Sequence, residues 1–523
     1  MRNLRHIATA PWLWFGLVMT VFAYLTPYAF DSDAFEAEFL AKTAGGNFLS
    51  GYTDYINDVR LNDNWRLAQI LSPLFTLYLS KWLTALITGV SLAYTLYILA
   101  RLILPPSGTR RQAYCVQAIL MWAILLLLPW RNNMLVFIAA MNYIPVAAAA
   151  FMALSLALNK SRSTLCTVVC ILAAIVAATG HEQIAISSGA AMICAAIIPI
   201  IKYKIPASST CTNTSVTYNT ATTRHFLLFI GCLTAALGTV WVMSSHIVMR
   251  AVAESAAPAW QTAPAKILLF NFPVILLWLG LILSAITTRT RAYIVSLISE
   301  NVAFTFFAVA AGAGTIISLF VSYAPRSAYW PQLCAIGAWG IVLYPLLQKF
   351  AARTQNIVTT ALMLLFGIVS IHAGIWIHRV GKAYSEARAA LATSPTGTVY
   401  CHPVYAYDIP RTALGMAPNV IFMEPIVYRC LTERFGRPVA FVPAGLEHIS
   451  LPATPDSIYR ASDGSLYMRP SSPVREPIIS TVGADNSTTT VTLLPFTHPS
   501  GITLYLVIPH YQIPSSTVLT LSE

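Results

Sequence analysis

At 523 residues, with 57% hydrophobic and only 10% charged side chains and a mean hydropathy of +0.65, the chain is too apolar for a soluble protein of its length. A net charge of +12 does not point to nucleic acid, because no dense basic run with interleaved aromatics occurs. The nine cysteines show no CxxC or Cys/His spacing, and Cys115, Cys166, Cys170, Cys194, Cys232 and Cys334 sit in apolar runs, which excludes zinc and redox motifs.

A membrane-spanning helix needs roughly 20 mostly apolar residues. Eleven runs meet this: 11–30, 82–104, 113–130, 134–158, 164–180, 184–201, 225–243, 266–286, 302–322, 332–347 and 357–377. No cleavage pattern follows the first, which reads as a retained helix. Alternate loops carry Arg2 and Arg5; Arg101, Arg110 and Arg111; Lys160 and Arg162; Lys202, Lys204 and Arg224; Arg289 and Arg291; Lys349 and Arg353. The positive-inside rule makes those loops cytoplasmic, so the amino terminus is expected inside and the carboxyl terminus outside. The first outer loop, 31–81, is long and acidic, and 64–71 within it reads as an interfacial helix anchored by Trp65. The cytoplasmic loop 202–224, rich in Ser, Thr and Asn, reads as a flexible connector.

After residue 377 the composition shifts. Residues 378–392 read as a helix leaving the membrane. From Gly397, short β-prone runs at 398–400, 438–442 and 490–494 alternate with Pro, Gly, Asp and Ser clusters. The expected fold class is an all-α polytopic membrane domain over 1–377, followed by a mostly β extracytoplasmic domain over 378–523. Cys401 and Cys430 both fall in the latter; two readings stand, a disulfide in an oxidising compartment or two buried thiols.

Nearly all bulky polar groups fall at the outer ends of the helices. Asp31-Ser32-Asp33-Ala34-Phe35 follows the first, Trp130-Arg131-Asn132-Asn133 the third, and Asn142-Tyr143 lies two turns into the fourth. His181-Glu182-Gln183 joins the fifth and sixth, and Tyr323-Ala324-Pro325-Arg326-Ser327-Ala328-Tyr329-Trp330 lies between the ninth and tenth. Such a set has a chemical logic. Asp33 or Asp31 can act as general base on an acceptor hydroxyl, while Arg326, Arg131, Arg66 and His181 hold an anionic phosphate leaving group by charge-assisted hydrogen bonds. Glu182, Gln183, Asn142 and Tyr143 are left to contact substrate, Glu182 by orienting His181 or binding a sugar hydroxyl. An Asp-x-Asp pair also suits a divalent cation, which the residues permit and do not require. The bland alternatives are a capping or solvated aspartate, snorkelling arginines and an asparagine bridging helices.

On these residues the chain resembles the membrane-embedded GT-C glycosyltransferases and, more closely, the bacterial polytopic proteins grouped as DUF6056. The resemblance covers roughly 11–350 and rests on Asp31-Ser-Asp33-Ala-Phe35, Asn64-Trp-Arg66, Asn142-Tyr143, His181-Glu182 and Pro325-Arg326-Ser327. It departs where the family's adjacent acidic pair and following aromatic appear here as Asp33-Ala34-Phe35, with Asp31 two residues upstream, and where Trp65 replaces the glycine that usually precedes the arginine. The implied activity is sugar transfer from a polyprenyl-phosphate donor to a glycan or protein acceptor at the outer face of a bacterial inner membrane. A transporter or flippase of a lipid-linked sugar is the competing class, and a structural protein whose outer domain binds a partner is a third.

Overall fold

The structure is a computed structural model. It describes residues 10–26, 39–43, 46–62, 65–130, 134–159, 163–202, 221–246, 264–320, 325–401, 416, 432, 439–451, 454–455, 457–461, 465–471, 478–482, 488–508 and 518–521. Asp31, Asp33, Arg131, Cys430 and the connector residues 203–220 lie outside the described residues.

Each apolar run is helical over its described part. In chain order the helices are α1 (Pro11–Leu25), α2 (Phe48–Asn62), α3 (Leu67–Leu77), α4 (Lys81–Ile103), α5 (Arg110–Leu127), α6 (Phe137–Ala157), α7 (Thr164–Gly180), α8 (Glu182–Lys202) and α9 (Ala221–Met243). There follow α10 (Pro264–Phe270), α11 (Phe272–Ser284), α12 (Thr288–Glu300), α13 (Val302–Phe320), α14 (Tyr329–Gln348) and α15 (Ala352–Thr393). Several start at hydroxyl N-caps: Ser80 Oγ accepts from the Trp82 N–H, Thr109 forms a reciprocal capping box with Gln112, and Ser163 Oγ accepts from the Cys166 N–H.

Among the described residues, six helices are long and apolar enough to cross a membrane: α4, α6, α9, α13, α14 and α15. The pair α10 and α11 adds a seventh if counted as one span, while α1, α3, α7 and most of α8 are apolar but shorter. The run 266–286, expected as one straight span, is broken, with α10 and α11 meeting at 78°. Asn271 and Pro273, which has no N–H, lie at the break, and carbonyls around it accept side-chain donors. The Gln332 amide donates to Phe270 O, Asn271 Nδ2 to Ile267 O (3.1 Å) and Trp339 Nε1 to Pro273 O (3.1 Å).

Helix α6 is apolar on every face and buried along nearly its whole length, as the central member of a bundle should be. Around it, Phe151 stacks near Trp330 (5.1 Å between ring centroids) and Phe307 (5.9 Å), and Trp330 Nε1 donates to Ser187 Oγ at 2.7 Å, tying α14 to α8. Small residues let other helices approach closely. A Cβ on Gly89 would lie 2.5 Å from Gly16 O, so α1 and α4 cross backbone to backbone.

The last span and the expected exit helix are one uninterrupted 42-residue helix, α15. Beyond it, β1 (Thr398–Cys401) pairs in parallel with β2 (Ala440–Pro443). A six-stranded antiparallel sheet runs β3 (Ile458–Arg460), β4 (Leu466–Met468), β7 (Thr503–Ile508), β6 (Thr488–Thr497), β5 (Ile478–Val482), β8 (Val518–Leu521). The two sheets are joined where Tyr400 Oη donates to Thr497 O (2.9 Å) and Thr398 Oγ1 accepts from the Thr497 N–H (3.0 Å). The β6–β7 hairpin turns at Gly501, whose φ of +83° only glycine adopts without strain. Cys401 carries a free thiol, pushed up to about 12 by burial.

Candidate functional site

The interfacial segment expected at 64–71 becomes α3, and a second helix, α2, packs against it. Phe39 meets both Tyr52 and Tyr55 edge to face at 5.8 Å, and Tyr55 Oη and Tyr52 Oη donate to Gln69 O (2.7 Å) and Ile70 O (3.0 Å). These contacts fix the start of α3, where Arg66 is the N-cap and its own N–H is accepted by Gln69 Oε1 at 3.3 Å. Trp65 stacks on Trp241 of α9 (4.2 Å, 10°), with Arg60 over its ring at 5.4 Å. The segment is thereby clamped to the bundle on both sides of Arg66.

The clamp delivers the Arg66 guanidinium to Glu182, the first residue of α8. Nε donates to Oε2 at 3.0 Å and Nη2 to Oε1 at 2.5 Å, a bidentate pair with side chains only 13% and 26% exposed. The helix N-terminus also favours the carboxylate. Arg66 was expected on a donor phosphate; here its guanidinium is engaged by Glu182.

His181 occupies the turn between α7 and α8 and is 3% exposed. Its place against α6 depends on Gly180, where a Cβ would lie 2.3 Å from Val146 Cγ2. The Gln183 N–H donates to His181 Nδ1 at 3.3 Å, which puts the imidazole proton on Nε2. Burial pushes the ring's pKa down to about 3, with Arg66 and Arg326 adding to the shift and Glu182 opposing it. At neutral pH the ring is therefore uncharged and presents an Nε2–H donor, where a charged imidazolium was expected against the phosphate. Nor does Glu182 orient it by a hydrogen bond, since Oε2 stands 3.8 Å from Nδ1.

Tyr143 of α6 lies against the His181 ring (4.4 Å, 42°) and edge-on to Tyr329 of α14 (6.0 Å). The charges of Arg66, Glu182 and Arg326 all bear on it, and its hydroxyl bonds with Ser327. Arg326 lies in the one-turn 3-10 helix Pro325–Ala328 that leads into α14, exposed at the rim. Asn142 is 3% exposed, and Pro145 three residues on removes an N–H from the middle of α6. Gln183 Nε2 donates to Gly314 O of α13 at 2.8 Å.

The structure thus brings together Arg66, Glu182, His181, Gln183, Tyr143 and Arg326 at one end of the bundle. It also adds Tyr329, a fully buried ring recognised in sequence only as part of a polar stretch; its place beside an arginine turn was the available signal. Among the described residues no group of three His, Cys, Asp or Glu side chains is placed to hold a metal ion; the Asp31-x-Asp33 pair lies outside them. At the opposite end, a cavity of about 280 Å³ opens between α4, α12 and α14, lined by Leu104, Tyr293, Glu300, Asn301 and Tyr344 among others.

The class these observations define is a helical membrane protein with a mixed, charge-rimmed polar cluster at one end of its bundle and a sheet-containing carboxyl-terminal region. No family model, curated protein or solved structure matches the chain.

Proposed function

We propose that the protein is a GT-C-like glycosyltransferase that moves a sugar from a polyprenyl-phosphate donor to a glycan or protein acceptor. The reaction runs at the outer face of a bacterial inner membrane. In this reading eleven segments span the bilayer, the amino terminus is cytoplasmic and residues 378–523 form a periplasmic domain that receives the acceptor. Asp33 or Asp31 takes the proton of an acceptor hydroxyl as its oxygen bonds to the sugar's anomeric carbon. The anomeric carbon–phosphate bond breaks on the opposite face, inverting the centre, and its electron pair leaves on the polyprenyl phosphate. Arg326, Arg131 and Arg66 hold that phosphate, a divalent cation being optional. The observation that carries the reading is the gathering of Arg66, Arg326 and Glu182 over buried, uncharged His181 and Tyr143, which suits a ligand with one anionic and one neutral part. Arg66 enters by exchanging Glu182 for phosphate.

One observation favours a second reading, transport of a lipid-linked sugar. The broken pair α10–α11, with buried Asn271 and Gln332 at the break, has the form of a discontinuous transporter helix. Proteoliposomes holding the purified chain and a polyprenyl-phosphoryl hexose labelled in the sugar separate the two. Release of free polyprenyl phosphate with label appearing on an acceptor supports transfer. Label crossing the bilayer with its phosphate bond intact refutes it in favour of transport. Impermeant labelling of a cysteine placed at residue 460 in intact cells tests the orientation, and labelling only after permeabilisation overturns it.

A further inference from the structure

Behind the charged rim, four buried side-chain atoms have no hydrogen-bond partner among the described residues: His181 Nε2, Tyr329 Oη, Asn142 Oδ1 and Gln183 Oε1. Their residues are 3%, 0%, 3% and 3% exposed, and they belong to α6, the α7–α8 turn, the first turn of α8 and α14; the Tyr143 ring lies between those of His181 and Tyr329, Asn142 is one turn before Val146, which packs on Gly180, and Gln183 directly follows the α7–α8 turn. Buried polar atoms are costly to leave unmet, so several in one neighbourhood require an explanation. The inventory of roles supplies it. With Nδ1 occupied by the Gln183 N–H, His181 Nε2 only donates. The amide oxygens of Asn142 and Gln183 only accept, and a tyrosine hydroxyl does either. The phosphodiester of a lipid-linked sugar accepts only and leaves both amide oxygens unmet. A metal ion takes acceptors only and is repelled by the Nε2–H. Hydroxyl groups donate and accept, and they need no counter-charge in a site whose buried members are all neutral.

We infer that His181 Nε2–H and Tyr329 Oη, with the amide oxygens of Asn142 and Gln183, form an uncharged hydroxyl-binding subsite for a sugar ring, while a phosphate stays at the Arg66 and Arg326 rim. The inference rests on the proposed function for the sugar's lipid carrier; the subsite chemistry asks only for a polyol. Because His181 acts as a neutral donor, sugar binding is independent of pH across the ordinary imidazole range. The charged and titratable groups that face it are Glu182, Arg66, Arg326 and Tyr143, with Tyr329 beyond Tyr143.

The test uses the full chain in lipid nanodiscs with three separate probes: methyl glucoside, inorganic phosphate and polyprenyl phosphate. Methyl glucoside is expected to raise the melting temperature of the wild type, equally at pH values about one unit either side of 6.5. Tyr329→Phe should be at least as stable as wild type without sugar, since its hydroxyl has no partner among the described residues, yet bind methyl glucoside about tenfold more weakly. His181→Phe should also lose sugar affinity, and His181→Gln, which keeps an N–H donor, should recover part of it. Unchanged sugar affinity in Tyr329→Phe and His181→Phe, no sugar effect at all, or an affinity that falls as pH rises through 6.5 overturns the subsite. If polyprenyl phosphate fails to bind while the sugar effect and its dependence on Tyr329 persist, the lipid-donor reading falls and the subsite stands. If polyprenyl phosphate binds and the sugar effect ignores both residues, the reverse holds. Inorganic phosphate is expected to respond to Arg326→Ala and not to Tyr329→Phe; a response to Tyr329→Phe would place the phosphate in the buried subsite and overturn the assignment.

Discussion

Removing either partner of the Arg66–Glu182 pair should cost more than removing both. The two charged side chains are 13% and 26% exposed and share two hydrogen bonds. Exposed pairs contribute about 0.2–1 kcal/mol, and stranding one charge of a fully buried pair costs about 3–5 kcal/mol. Partial exposure places this pair between those limits, at about 2–3 kcal/mol for either single change. Glu182→Gln leaves the guanidinium facing a neutral amide, and Arg66→Met leaves the carboxylate with its largest attraction gone. In the double variant neither charge is stranded, so its loss should be no larger than either single loss. For domains of about 150–250 residues each kcal/mol shifts Tm by about 2–4 °C, and less for longer chains, so each single variant should melt a few degrees low. The assay is a double-mutant cycle of thermal melts in detergent, repeated at low and high salt. Because the pair is largely shielded from solvent, its coupling should weaken only modestly with salt. Single losses that simply add in the double variant would show that the residues do not interact and refute the clamp geometry.

Three further expectations follow. His181 binds its proton near pH 3 when folded and near 6.5 when unfolded, so between those values the unfolded chain holds more protons and stability falls as pH falls. Wild-type melts should decline below pH 6.5 more steeply than those of His181→Gln; identical pH profiles would sink the claim. Gly180→Ala pushes a Cβ into Val146 and should separate α7 from α6, lowering Tm, whereas the double change Gly180→Ala/Val146→Ala should recover part of the loss in the same melts. Under the proposed transfer reaction, changing whichever of Asp33 and Asp31 is the base to Asn should lower turnover about 10²- to 10⁴-fold with donor affinity nearly intact, while Arg326→Ala weakens both. Transfer kinetics with a polyprenyl-phosphoryl sugar measure this, and unchanged turnover after replacing both aspartates favours transport.

What could be read in advance divides along physical lines. Uniform apolar runs of about 20 residues state their helicity outright, and each is mainly helical over its described part, the run 266–286 with a break. Helix α2 went unread because its mean polarity hides an amphipathic face, although Tyr52, Tyr55 and Val59 recur at helical spacing. The break at Asn271 had its residues in view, but whether an Asn and a Pro break a span depends on donors such as Gln332 and Trp339, brought in from α14. Similarly, the sequence places Arg66 and Glu182 more than a hundred residues apart, and nothing local announces that they neutralise each other. His181 was visible as a polar turn, whereas its charge state follows from a tertiary burial no local pattern encodes. In the carboxyl-terminal region, local β-prone runs marked strands β1, β2 and β6, but the parallel pairing of β1 with β2 across a long connection is a property of topology alone.

The uninterrupted α15 has a mechanical meaning. A 42-residue helix is about 63 Å long, roughly twice the thickness of a bilayer's hydrocarbon core. It works as a mast, and its far end carries buried Tyr384, Ala387 and Leu391 into the same apolar core as Val399 of β1. Each residue added to the mast lifts what it carries by only about 1.5 Å but turns it by about 100°. Two added residues would aim the sheets almost backwards at nearly the same height, whereas seven would raise them by about 10 Å and bring them back to within about 20° of their first bearing. The length of α15 therefore sets a compass direction far more sharply than an altitude.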